Sequence, residues 1–280
     1  MSQPLRFALN RMVAPRLPLD QFISLAIALN ADAIELRNDL KGVEIEDGTL
    51  PEIVRALCQE KGIRVLSINA VYPFDVWNEE RRAQVRKLSA YARDCGAEGL
   101  VMCPLNDPAD TRTAAERARG LRTALTEIAP ILREHGILGF VEPLGFEECS
   151  LRRKQDAVEA INSIGGRDVF RIVHDTFHHH LASEQDFFPE MTGLVHISGV
   201  EDGELALNAI RDGHRVLIGE ADILRNAEQV RELIKQGYNG HFSFEPFAQS
   251  VHALSDIESS LLTSMQHLVQ RVKAEQGQAA

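Results

Sequence analysis

Short apolar, β-rich runs alternate with longer amphipathic segments eight times along this chain, and that regularity restricts the fold more than any single motif. The runs are RFALN at 6–10, AIEL at 33–36, RVLSINA at 64–70, GLVMCP at 99–104, GFVEPL at 139–144, FRIVHD at 170–175, LVHISG at 194–199 and HFSFEP at 241–246. Helical patterns run from Asp20 to Leu29, Leu50 to Lys61, Glu79 to Cys95, Ala114 to His135, Lys154 to Ile164, Ile223 to Gln236 and Ser255 to Lys273. Leu121, Leu125, Ile128 and Leu132 repeat at three- and four-residue steps, the mark of a helix with one buried face. Asp20 after Pro18 reads as an N-cap, and Gly62, Gly96, Gly136 and Gly237 read as C-caps. Near-continuous apolar strands, each followed by a helix, predict a closed parallel sheet wrapped by helices, a (β/α)8 TIM barrel of the α/β class. A doubly wound open sheet is the alternative. Eight even units and no GxGxxG turn weigh against it.

No linker or low-complexity tract interrupts residues 1–280, so one domain is expected, with a frayed tail at 275–280. The longest stretch without a periodic pattern, Val200 to Glu220, falls between the seventh and eighth strands, and loops of that length are usually functional. The net charge of −11 argues against nucleic acid, whose phosphates favour a basic surface. Cys58, Cys95, Cys103 and Cys149 form no CxxC pair and read as reduced thiols. The N-terminus lacks the pattern of a signal peptide, and no apolar run reaches the roughly 18 residues that span a bilayer. A soluble, cytoplasmic protein without membrane or nucleic-acid partners is expected, acting on a small molecule, with a homo-oligomer left open.

Four runs in the second half carry one metal-type ligand each near their carboxyl ends: Glu142, Asp175, His196 and Glu245. An unpaired charge on a buried strand costs several kcal/mol, so each residue alone reads best as a salt-bridge partner or a hydrogen-bonded core group. Four at equivalent positions on consecutive strands point instead to one shared divalent cation, because the active face of a (β/α)8 barrel lies at the strands' carboxyl ends. Three carboxylates and one imidazole suit Mn2+, Mg2+, Co2+ or Zn2+, and no organic cofactor is called for.

Further candidates surround them. His178 follows Asp175 by three residues and could reach the same pocket, whereas His179 and His180 read as solvated loop residues. His174 should face outward beneath a helix, since strand side chains alternate. Arg215 in the seventh loop offers a fixed cationic fork for substrate oxygens. Glu148 lies near the mouth, and Tyr72, Phe74 and Trp77 could wall an apolar side of the pocket.

The stretches FALN, AIELR, SINAVYPF, VEPLGFEECS, HDTFHHH, DGHRVLIG and FSFEPF resemble the xylose-isomerase-like barrel superfamily over nearly the whole chain, nearest to its inosose isomerase branch. The resemblance implies that Glu142, Asp175, His196 and Glu245 bind the cation. It also implies that His178 and Arg215 contact substrate, and Asn69 and Glu148 complete the candidate substrate contacts. The DNA-repair branch carries extra histidines where this chain has Asn69 and Cys103 or Pro104, which argues against abasic-site cleavage. The isomerase branch's glycine-x-glycine after the seventh-loop arginine stands here as Gly219, Glu220 and Ala221.

The implied chemistry is proton transfer beside a carbonyl through an enediolate, with Glu142 and Glu245 as proton-moving groups and a bound cation as Lewis acid. Isomerisation of a keto-inositol is the first expectation. Ketose 3-epimerisation and inosose dehydration are the alternatives, and an inactive polyol-binding barrel is the rival from another class.

Overall fold

The computed structural model of the protein describes residues 4–274, and the tail expected at 275–280 lies outside them. Strands β1 (Arg6–Asn10), β2 (Ala33–Arg37), β3 (Arg64–Val71), β4 (Ala97–Met102), β5 (Leu138–Val141), β6 (Phe170–Asp175), β7 (Thr192–Ile197) and β8 (His241–Phe244) close into one barrel. They are parallel and in sequence order, with β8 pairing back to β1. The expected (β/α)8 barrel is therefore the observed fold.

Its helices are α1 (Leu19–Ala28), α2 (Pro51–Lys61), α3 (Glu79–Cys95), α4 (Ala114–His135), α5 (Lys154–Ser163), α6 (Thr176–Leu181), α7 (Asn226–Lys235), α8 (Gln249–His252) and α9 (Ile257–Ala274). Gly62, Gly96 and Gly136 each adopt the left-handed conformation that ends a helix, as expected. Asp20 does not cap α1; the chain enters from Pro18, and Asp20 sits in the first turn, where its charge faces the helix dipole. Helices α6 and α8, of six and four residues, are too short to show a period and escape sequence reading. The seventh loop is irregular apart from single turns at Leu207–Ala209 and Asp212–His214 and a bridge between Gly199 and Val216. None of the helices described is long and apolar enough to cross a membrane.

Alternation along the strands divides the barrel interior into two levels. Ala8, Ala33, Val101, Phe140, Val173 and Leu194 form part of an apolar plug toward the amino ends. Two residues further along the same strands stand Asn10, Glu35, Cys103, Glu142, Asp175 and His196, so the same face turns polar at the carboxyl mouth. The plug is tightly fitted. A β-carbon on Gly99 would meet the Leu138 carbonyl and come within 2.6 Å of the Phe140 ring, and one on Gly193 would lie 2.7 Å from that ring. Side chains of the opposite parity, including Leu9, Ile34, Val195 and Ile197, pack outward in the main core beneath the helices.

Candidate metal centre

Glu142 and Glu245 stand one residue beyond β5 and β8, Asp175 ends β6, and His196 lies one residue inside the end of β7. Barrel closure brings them together: one ligand atom from each lies within 4.8 Å of all the others, and all four side chains are buried. His196 Nδ1 lies 2.9 Å from Glu142 Oε1, 3.2 Å from Glu245 Oε2 and 3.9 Å from Asp175 Oδ2.

Three buried carboxylates at this spacing repel one another, so the cluster needs positive charge. His196, Arg215 and Arg37 provide it. Burial alone would lower the affinity of His196 for a proton, but the carboxylates of Glu245, Glu35 and Glu142 overcome that and hold it well above the usual histidine range. Arg215, nearly all of it hidden, donates from Nη2 to Asp175 Oδ2 at 2.7 Å and Glu245 Oε2 at 3.0 Å. Its Nε donates to Ser198 Oγ at 3.0 Å, and its guanidinium lies over the rings of Phe177 and Phe247. Burial would raise the Glu245 carboxyl, but His196, Arg215 and Arg37 hold it well below the ordinary glutamate range.

The donor set fits a divalent cation. Three oxygens and one imidazole nitrogen converge from four strands with no soft thiolate among them, which matches Mn2+, Zn2+, Mg2+ or Co2+. Glu142 Oε1, Asp175 Oδ2, His196 Nδ1 and Glu245 Oε2 are the atoms that face one another.

A cavity of about 340 Å3 opens above the cluster, lined by Arg37, Asn69, Tyr72, Cys103, Glu142, His178, Arg215, Glu245 and Phe247, among others. His178 is buried in α6, where its Nδ1 accepts the Gly145 N–H at 3.2 Å. That bond leaves the proton on Nε2, so neutral His178 is a donor. Asn69 lines the cavity, but its amide nitrogen is committed below it, donating to Glu35 Oε2 at 3.0 Å and Ser67 Oγ at 2.8 Å. Glu148 is elsewhere: it lines a neighbouring cavity of about 430 Å3 and faces Arg211 at 3.9 Å. Phe146 borders both spaces. Of the three aromatics after β3, Tyr72 walls the cavity, Phe74 is buried in the core, and Trp77 packs against the core beneath Arg82.

Two expectations about the histidine run separate. His174 faces outward and is fully buried, with Nε2 2.9 Å from Gln229 Oε1. His179 is not a solvated loop residue: α6 buries it against Phe187, and its Nδ1 accepts from Lys154 Nζ, which also reaches His174 Nδ1 at 3.2 Å. His180, at the outer side of α6, is partly exposed.

Sequence reading missed the floor of the site. Glu35 is fully buried and accepts from Asn10, Ser67, Asn69, Ser243 and His196 Nε2, the last at 3.1 Å. Arg37 Nη1 donates to Glu245 Oε1 at 2.9 Å while its other nitrogens clasp Asp39. AIELR on β2 carries the same signal as FVEP, a charge inside an apolar run, and would have marked Glu35.

Fold and cluster together define a (β/α)8 barrel with a candidate divalent-metal site at its carboxyl mouth. The chain belongs to the xylose isomerase-like TIM barrel family, whose model matches residues 23–270. It is 33% identical to a xylose isomerase domain containing protein of Salmonella typhimurium, with a TM-score of 0.87 over 97% of this chain and 98% of that one. It is 26% identical over 239 residues to the inosose isomerase of Halalkalibacterium halodurans, covering 81% of this chain and 82% of that protein. The IOLI protein, crystallised with a zinc atom, shares the fold at 20% identity, with a TM-score of 0.84 over 96% of this chain and all of that one.

Proposed function

We propose that this chain is a divalent-cation-dependent isomerase of a keto-inositol or a related ketose, moving a proton through an enediolate. The observation that carries the reading is the buried cluster of Glu142, Asp175, His196 and Glu245 beneath a cavity of about 340 Å3, a volume suited to a single sugar or inositol ring. The names of relatives near 25% identity, inosose isomerases of three bacilli-type sources, support the substrate class.

A cation held by the four residues would supply Lewis-acid stabilisation of negative charge developing on a substrate oxygen, commonly the largest catalytic contribution. The surrounding side chains supply the rest. His178 presents an Nε2–H for a carbonyl or hydroxyl oxygen, and Arg215 and Arg37 add fixed positive charge on the cavity wall. Glu142 and Glu245 are the carboxylates of the cluster that also line the cavity, within reach of a substrate's C–H. Tyr72 and Phe247 add aromatic surface to its walls.

Incubating the protein in deuterated water with 2-keto-myo-inositol, with and without Mn2+, tests the proposal. Cation-dependent exchange of the hydrogens beside the carbonyl is expected. Absence of exchange with every keto-inositol and ketose offered would remove it.

A further inference from the structure

The two candidate proton-moving glutamates are held very differently. Both oxygens of Glu245 are committed: Oε2 accepts from Arg215 at 3.0 Å and faces His196, while Oε1 accepts from Arg37 at 2.9 Å and from Asn10 at 3.1 Å. These donors are themselves fixed. Arg37 is clamped by Asp39, and Asn10 has its own carbonyl oxygen engaged by the Met12 N–H. Glu142 has one oxygen on the cluster and one turned elsewhere. Oε1 lies 2.9 Å from His196, while Oε2 meets, among the described residues, only the Cys103 thiol, 3.4 Å away at the cavity wall. A carboxylate oxygen bound by two guanidinium or amide donors is a poor proton acceptor, and one facing a weak thiol donor is a good one.

We infer that this site moves the carbon-bound proton with one base, Glu142 Oε2, and so catalyses transfer between adjacent carbons on one face rather than inversion at a single carbon. The inference rests on the isomerase reading above. Glu142 Oε2 takes the hydrogen of the carbinol carbon as a proton. The C–H electron pair becomes the C=C bond of the enediolate, and the carbonyl π pair moves onto oxygen. The same carboxyl then returns its proton to the former carbonyl carbon, on the face it already occupies. The hydroxyl proton of the first carbon passes to the neighbouring oxygen, with the His178 imidazole at hand to donate and accept, and the new carbonyl forms where the carbinol stood. The substrate class is an α-hydroxy ketone that exchanges its carbonyl with the adjacent carbinol. Epimerisation at one carbon needs a second base on the opposite face, and Glu245 is not free to be it.

The test uses 2-keto-myo-inositol deuterated at both carbons beside the carbonyl, with the cation-loaded protein in ordinary water. Part of the label should appear on the former carbonyl carbon of the product, the rest being lost to solvent, with no product inverted at a labelled carbon. Glu142→Gln at matched metal content should slow exchange by at least about 1000-fold, within the range of general-base effects. Inversion at the labelled carbon would overturn the inference, as would exchange by Glu142→Gln close to the wild-type rate. Complete label retention with an active Glu142→Gln would overturn it too, since a hydride shift would then be at work. No turnover by the wild type with any keto-inositol or ketose fails the isomerase reading itself, a separate outcome.

Discussion

His196 and Glu35 are joined back to front: Nδ1 of the imidazole faces the carboxylate cluster, while Nε2 lies 3.1 Å from Glu35 Oε2 on the floor beneath it. Burial would push the Glu35 carboxyl up, but the charge and hydrogen bond of His196 and the Ser243 hydroxyl hold it below its ordinary value. An ionised Glu35 can only accept, so it keeps a proton on Nε2, and a cation that displaces the Nδ1 proton would meet the Nδ1 lone pair. Carboxylates behind a ligating histidine commonly serve this purpose.

Glu35→Gln should therefore weaken divalent-cation binding by about 10- to 100-fold, the usual effect of losing such a partner. Competition against a chelator, on protein shown to be folded by circular dichroism, measures it. Unchanged affinity would assign Glu35 to the fold alone. Glu35→Ala strands several buried donors and should cost stability as well, about 3–5 kcal/mol by denaturant unfolding.

A second prediction concerns acid. Burial, then the positive charge of Lys154, pushes His179 down to about 3, and His174 is likewise held well below its usual value. A histidine depressed in the folded protein stabilises it above the unfolded value of about 6.5, and that stability is lost as pH falls toward 3. Unfolding free energy of the metal-free protein should drop between pH 6.5 and 4, with His179 contributing up to about 1.4 kcal/mol per pH unit. His179→Asn should flatten the slope by about one proton in urea titrations at pH 6.5, 5.5 and 4.5. An unchanged slope would show that His179 takes up its proton without unfolding.

What the sequence displays and what it hides follow from the range of the forces involved. Strand parity is local, so the four cluster residues, the outward face of His174 and the closed barrel were all legible. Glu35 carried the same local signal, a charge inside the apolar run AIELR, but its role stayed hidden, because the donors that hold it come from β1, β3, β7 and β8 and only closure assembles them, and the strand reading stopped at Leu36, short of Arg37. His179 was misjudged because a helix of six residues carries no period, and the lysine that makes its burial tolerable comes from α5. The placement of Glu148 in the adjoining cavity is set by loop geometry, which residue spacing does not encode.

The plug beneath the site yields a third prediction. Gly99→Ala sets a methyl against the Leu138 carbonyl, and Gly193→Ala sets one 2.7 Å from the Phe140 ring and from Arg171 Cβ. Each should cost about 1–3 kcal/mol, the usual penalty of overpacking. Phe140→Leu should recover part of the Gly193→Ala loss and little of the Gly99→Ala loss, since backbone cannot yield as a ring does. Equal rescue in a double-mutant cycle of melting temperatures would mean that the ring alone sets the fit.

Arg215 joins Asp175 and Glu245 with one nitrogen, at 2.7 and 3.0 Å, and together with His196 offsets the crowded carboxylates. Arg215→Met keeps length and apolar packing against Phe177 and Phe247 but removes that charge. The metal-free variant should lose about 3–5 kcal/mol, because two buried carboxylates lose a hydrogen-bonded partner. A divalent cation opposes the same repulsion, so its binding should be favoured in the variant, and stabilisation by a bound ligand grows with its affinity. Thermal melting with and without saturating Mn2+ should show a larger cation-induced rise for Arg215→Met than for the wild type. An equal or smaller rise would mean that Arg215 supports cation binding instead of competing with it.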